Sequence, residues 1–465
     1  MIQFPKDFIW GSATSSYQIE GAAMEGGRAW SIWDAHAHIP GRTANNDHGD
    51  VACDHYHRYK EDVKLMADLG LKAYRFSISW SRIQPDGQGA VNPEGIQFYS
   101  NLIDELLSYG ITPWITLYHW DLPLALHTEK DGWLNPEIAD YFAKYADICF
   151  THFGDRVHHW ITHNEPWVVA ILGYSAGVFA PGRKSEDEPY IVAHNILRSH
   201  AKAVQRYREK YQPAQEGTIG ITNNCDWREP LSDKPEDIDA AQRALEFFLG
   251  WFTDPIYFGD YPAVMRERLG DRLPQFSEEE KKLLIGSSDF FGLNHYSTLL
   301  AADAPSGVEV ENNVYGNGGI FADQRVLLTA DPEWKTTAMR WPIVPLGCQK
   351  LLEWIRDRYD NPPIYITENG CAFDDAKDEN GEVRDTDRIH FLEGYIDACH
   401  QAIENGVALK GYFVWSLMDN FEWAQGYSKR FGIHYVDYES LERTPKHSAH
   451  WYRKLIENNG FKLSQ

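Results

Sequence analysis

Eight short runs of nearly continuous apolar residues recur from one end of the chain to the other, at 8–13, 73–80, 112–119, 159–164, 218–223, 290–296, 364–368 and 411–417. They are rich in aromatic and β-branched residues and lack the alternation of a half-exposed strand, which is the pattern of strands buried on both faces. Amphipathic stretches separate them. Tyr59, Val63 and Met66 share one helical face, and Gly70 offers a C-terminal stop. Asn92-Pro93 and Asn135-Pro136 each set a capping side chain before a proline suited to the first helical position. Ile96, Tyr99, Ile103 and Leu106 then follow the first pair at helical spacing, and Ile138, Phe142, Tyr145 and Cys149 follow the second. Eight βα units in succession predict an α/β fold, a single (β/α)8 TIM barrel, rather than a doubly wound sheet. Barrels with long βα loops can exceed roughly 400 residues as one unit. No low-complexity linker divides this chain, so one domain is expected over residues 1–465. The stretch 301–340, rich in Gly, Asn, Asp and Pro, lies between the sixth and seventh strands and predicts a long loop over the barrel mouth.

The net charge of −24 removes electrostatic support for binding nucleic acid or an anionic membrane. The acidic excess is spread rather than gathered in a tail, which serves solubility. The six cysteines (Cys53, Cys149, Cys225, Cys348, Cys371 and Cys399) show neither C-x-x-C nor metal-like spacing, so free thiols are expected. The N-terminal MIQFPKDFIWGSAT has no basic n-region and no apolar core of a secretory leader. No apolar stretch approaches the ~20 residues of a membrane span. A cytoplasmic location is the resulting expectation.

In a parallel barrel the working residues sit at the C-terminal ends of the strands. Those ends carry Gln18, Arg75, His119-Trp120, Asn164-Glu165, Asn294, Tyr296, Glu368, Trp415, Glu422 and Trp423 in chain order. Carboxylates, amides, histidine and tryptophan at one mouth suit a sugar, which offers hydroxyls to bond and a C–H face to stack. The set contains no phosphate-cradling glycine loop and no His/Asp metal cluster, so neither a cofactor nor a metal is expected. Glu165 and Glu368 each end an apolar strand beside an Asn. Two carboxyl groups at one mouth match glycoside hydrolysis, which needs one as acid and one as nucleophile or base.

The chain resembles the family 1 glycoside hydrolases, the β-glucosidase family, over essentially its whole length. The resemblance rests on FPKDFIWGSATSSYQIEG, YRFSISWSRI, LYHWDLP, THNEPW, DFFGLNHY, YITENG and WSLMDNFEWAQGYSKRFGIHYVDY in this order. It implies Glu165 as acid/base and Glu368 as nucleophile, supported by Arg75, Asn294 and Tyr296. It further implies that Gln18, His119, Trp120, Asn164, Glu422, Trp423 and Phe431 hold the nonreducing sugar, with Trp415 beneath it. Trp167, Leu172, Phe179 and Trp341 would line the aglycone site. Two departures from the family pattern fall there: Arg340 stands where a glycine is usual, and Phe179 where a histidine is common. Arg75 and Tyr296 should favour an ionised Glu368, whereas burial and the Glu368 charge should raise Glu165.

The activity implied is a retaining β-glucosidase acting on a small-molecule β-glucoside or cello-oligosaccharide. A broader β-glucosidase, β-galactosidase and β-fucosidase activity is an alternative, and the oligomeric state is left open. A 6-phospho-β-glycosidase is opposed by Glu422, whose charge would repel a phosphate dianion. A catalytically silent carbohydrate-binding relative is opposed by the presence of both Glu165 and Glu368.

Overall fold

A computed structural model describes residues 2–306 and 320–463. Eight parallel strands close into a barrel: β1 Ile9–Ala13, β2 Ala73–Ser77, β3 Thr112–Tyr118, β4 His159–Asn164, β5 Thr218–Asn224, β6 Phe291–Asn294, β7 Ile364–Asn369 and β8 Leu409–Trp415. Each strand pairs with its sequence neighbours, and β8 closes the ring on β1 with Trp415 opposite Ala13. The expected α/β barrel is therefore the fold. The strands are buried almost throughout, which accounts for their unbroken apolar runs.

The intervening helices bury one face each. Pro93–Ser108 turns Phe98, Tyr99, Leu102, Ile103 and Leu106 inward, and Asn92 caps it by accepting the Glu94 N–H. The helix His55–Leu69 ends at Gly70, whose φ of +74° provides the left-handed stop that its position implied. Asn135 also acts as a cap, its side chain accepting the Glu137 N–H at 2.9 Å. The regular helix after it, Ile138–Phe153, nonetheless begins beyond the Asn135-Pro136 pair. The first amides there bond back to Asn135 and Pro136 with a three-residue step and form a tight entry turn.

Three sequence readings are corrected in detail. The second run ends as strand at Ser77, and Trp80–Ile83 is already a helical turn. The sixth stops at Asn294, so Tyr296 stands on the loop beyond it. The stretch 301–340 is not simply loop. Thr298–Asp303 pairs antiparallel with Val326–Thr329 and parallel with Trp227–Pro230, giving a small three-stranded sheet outside the barrel. These segments are far apart in sequence, so no local pattern announces their pairing. Residues 307–319 of that stretch lie outside the described residues.

Ladder irregularities fall where they matter. The β4–β5 register shifts between Ile161 and Asn164, and the β6–β7 register between Ile366 and Glu368. Such shifts re-aim the side chains that follow them. Here those side chains are the two strand-end glutamates.

Candidate active site

Arg75 is fully buried in β2 and its guanidinium organises the barrel mouth. Its Nη1 donates to Glu368 Oε1 at 2.6 Å and to the Thr367 carbonyl at 3.2 Å. Its Nη2 donates to Asn164 Oδ1 at 2.6 Å, and its Nε to Thr116 Oγ1 at 3.2 Å. The Tyr296 hydroxyl donates to the second Glu368 oxygen at 2.7 Å. Glu368 is thus gripped by a cation and a phenol. Glu165 is held differently, by the neutral amide Nδ2 of Asn294 at 2.8 Å.

Those unequal partners separate the two acids. Burial raises both carboxyls above the ordinary carboxylate range. For Glu165 the neighbouring Glu368 charge adds to burial, and the Asn294 hydrogen bond and Arg75 offset only part of it, so the group lies well above that range. For Glu368 the Arg75 guanidinium and the donors on Tyr296 and Asn294 pull against burial. In the coupled pair the first proton therefore leaves Glu368, while Glu165 keeps its own.

The network also dictates which way its amides and ring point. Asn164 Oδ1 accepts from both Arg75 and Asn294, so its Nδ2 faces His119 Nε2 at 3.1 Å. His119 Nε2 must then accept, which puts the ring proton on Nδ1. Burial and the Arg75 charge lower His119 well below the usual imidazole range, so the ring is neutral. Its Nδ1–H has no partner among the described residues and can donate to a ligand. Glu422 is similar in kind. Burial, then the Glu368 charge, raises its carboxyl to about 8, and its Oε2 is also without a partner among the described residues.

Aromatic rings wall the space above this network. His119 stacks at 5.9 Å from both Trp415 and Trp423. Trp423 packs at 4.5 Å against both Trp120 and Trp33, and Phe179 joins Trp120 at 5.6 Å. On the other side Trp341 lies 5.4 Å from Tyr296 and 5.9 Å from Phe431. Trp167 meets Phe248 edge-on at 4.4 Å. Leu172 is 2% exposed and belongs to the apolar core. Gln18 reaches the same region, but its amide already donates to Asn420 and the Phe421 carbonyl and accepts from Ser15.

Trp120, Glu165 and Trp423 have left-handed φ values of +79°, +51° and +48°. This conformation is uncommon for any residue but glycine and tends to gather at functional sites. Arg340 also has a left-handed φ, +60°, so its backbone occupies a conformation suited to the family's usual glycine. Gly370, which follows Glu368-Asn369, meets a different demand: a Cβ there would lie 1.7 Å from the Trp415 carbonyl oxygen.

The sequence matches the profile of glycosyl hydrolase family 1 over residues 1–461. The chain belongs to that family. Among curated relatives, β-glucosidase 42 of Arabidopsis thaliana is 51% identical over 99% of this chain and 96% of its own length. β-Glucosidase A of Thermotoga maritima is 48% identical, with 98% of each chain covered. A rice β-glucosidase mutant in a covalent complex with glucose superimposes with a TM-score of 0.92 at 44% identity, covering 98% of this chain and 99% of that one. The Thermotoga maritima β-glucosidase in complex with deoxynojirimycin gives the same TM-score at 48% identity, over 99% and 100% of the two chains.

Most strand-end residues singled out in this family 1 sequence come together at one mouth. Residues without an advance signal are those that hold others in place. Thr116 and Thr367 bond Arg75 and Asn294, yet threonine in a strand looks like ordinary β-sheet composition. Asn369 donates to the His295 carbonyl and accepts from Tyr412, fixing the loop beside Glu368.

Proposed function

We propose that this chain is a retaining β-glucosidase, acting as one catalytic domain on the nonreducing end of β-glucosides or cello-oligosaccharides. The observation that carries the reading is the unequal pair of buried carboxyls, Glu368 bound by Arg75 and Tyr296 and Glu165 bound by Asn294. Glu368 is the nucleophile: its carboxylate attacks the anomeric carbon and forms a glucosyl ester. Glu165 is the acid, giving its proton to the departing aglycone oxygen. Esterification removes the Glu368 charge that helped raise Glu165, so Glu165 then accepts a proton from water as that water cleaves the ester. The outcome is net retention, and no cofactor is required.

His119, Asn164, Glu422, Trp423, Trp120, Gln18 and Phe431 would bind the sugar hydroxyls and edges, with Trp415 as the stacking floor. Trp341, Phe179 and Trp167 would receive the aglycone. The covalent glucose complex of the rice relative supports the ester step. Oligosaccharide substrates are supported by the 48% identical 1,4-β-D-glucan glucohydrolase of Thermotoga neapolitana. No described helix is long and apolar enough to cross a membrane. All six cysteines are buried and unpaired, which fits a reducing, cytoplasmic setting.

The test is turnover of a chromogenic β-glucoside. Glu368→Gly should lose at least about 10⁴-fold in kcat, and azide should restore product as the α-glucosyl azide. A β-glucosyl azide would reverse the two roles, and an active Glu368→Gly without azide would remove them.

A further inference from the structure

A buried guanidinium needs a counter-charge or good acceptors to replace the water it loses. Among the described residues, every almost fully buried arginine but one has a carboxylate partner. Arg28 pairs with Asp34 at 2.8 Å, Arg75 with Glu368 at 2.6 Å and Arg82 with Glu20 at 2.8 Å. Arg243 pairs with Asp303 at 2.8 Å and Arg388 with Asp385 at 2.6 Å. Arg228 is the exception. It is 6% exposed and forms no ion pair among the described residues, in a chain whose net charge is −24. Its hydrogen bond to protein is a long one, from Nη1 to the Trp227 carbonyl at 3.5 Å. Its Nε and Nη2 have no partner there and are not closed off from solvent.

The acids beside it in sequence are committed elsewhere. Glu229 accepts from Trp227 Nε1 at 2.6 Å and from Lys350 Nζ at 2.8 Å, on the opposite side of the strand Trp227–Pro230 from Arg228. Asp226 accepts the Ser297 N–H at 3.0 Å. Pairing of that strand with Thr298–Asp303 sets Arg228 opposite Leu299 and holds its backbone. The guanidinium lies over the Phe248 ring, with Cζ 5.2 Å from the centroid. Phe248 in turn meets Trp167, two residues past Glu165, edge-on at 4.4 Å. Phe248 stands on the π-helical turn Glu246–Gly250, a distortion that recurs at functional sites. Outward from the acid/base, the wall therefore runs through two aromatic rings to an unneutralised cation.

We propose that Arg228 sets aglycone specificity, binding a carboxylate at the far end of an aglycone whose apolar body lies along Trp167 and Phe248. The inference rests on the β-glucosidase reading above and names a substrate class for it, β-glucosides of aromatic acids. A guanidinium presents parallel N–H donors that match the two oxygens of a carboxylate, and the bond is charge-assisted where little water competes. An ester or amide at the same place offers no charge and would leave the guanidinium uncompensated.

The experiment compares the 4-O-β-glucosides of 4-hydroxycinnamic acid and of its methyl ester as substrates for wild type, Arg228→Gln and Arg228→Lys. The readout is kcat/KM for the acid relative to the ester, so that intrinsic leaving-group differences and any general loss of activity cancel between proteins. This ratio should fall at least about 10-fold in Arg228→Gln and recover in part in Arg228→Lys. A second measurement needs no variant: free 4-hydroxycinnamate should inhibit the wild type more strongly than its methyl ester, although the ester is the more apolar of the two. The same ratio in wild type and Arg228→Gln, or an ester that inhibits as well as the acid, would overturn the role given to Arg228 and leave the β-glucosidase reading intact. A wild type that hydrolyses neither glucoside would remove that reading, and this inference with it.

Discussion

At the N-terminal end of the barrel interior, Trp114 stacks on His159 at 4.2 Å and meets Tyr365, Phe413 and Phe290 at 4.7, 5.3 and 5.6 Å. Even the histidine in this plug is uncharged, since burial lowers it to about 4. Toward the C-terminal ends of the barrel strands, Arg75, Asn164, Asn294 and Glu368 are joined by hydrogen bonds of 2.6–3.0 Å, those donated by Arg75 being charge-assisted. The strand β2 supplies both regions, with Ala73 in the plug and Arg75 in the network. One end is filled and apolar; the other is buried yet polar, with atoms of His119 and Glu422 that have no hydrogen-bond partner among the described residues. The difference teaches that burial stabilises at one end and tunes protonation at the other. At the bottom it removes surface from water, and at the top it holds Glu165 protonated.

If the top works through protonation, changing Glu165 must be felt in catalysis before stability. Glu165→Gln should lower kcat/KM for alkyl glucosides by about 10²–10⁴-fold, and far less for dinitrophenyl glucoside, whose leaving group needs little acid help. Equal losses on both substrates, measured side by side, would break the assignment.

The plug should show the opposite behaviour. Trp114→Ala should destabilise by about 3–5 kcal/mol, seen as a lower Tm, while kcat at a temperature where the variant is folded stays near wild type. A large fall in kcat with Tm unchanged would mean that the two ends are not separable.

Within the network a smaller effect sharpens the comparison. Glu368 must be ionised to attack, so the acid limb of kcat/KM follows its titration. Tyr296→Phe removes a hydrogen bond to the charged form, which raises the Glu368 pKa and moves that limb upward by about one pH unit. The basic limb, set by protonated Glu165, should move much less. A downward shift of the acid limb would contradict the role given to Tyr296.

The strand ends were the legible part of this site. A glutamate closing an apolar run, beside an Asn and repeated at β4 and β7, stands out against hydrophobic neighbours, as does an arginine inside β2. Helix caps at Asn92 and Gly70 were legible because capping is local chemistry. The pairing of 298–303 with 326–329 was not, since strand partners separated by a polar, glycine-rich segment share no local signal. Nor were Thr116 and Thr367, whose contribution exists only once β3 and β7 stand beside Arg75. The left-handed backbone at Trp120, Glu165 and Trp423 was hidden for a related reason: nothing in those residue types favours it, and the surrounding fold imposes it.

The central claim is that an ionised Glu368 and a protonated Glu165 act in sequence through a glucosyl ester. Proton NMR of the earliest product from a β-glucoside, recorded before mutarotation, tests it most directly. The account predicts the β-anomer of glucose as the first product; α-glucose appearing first would contradict it.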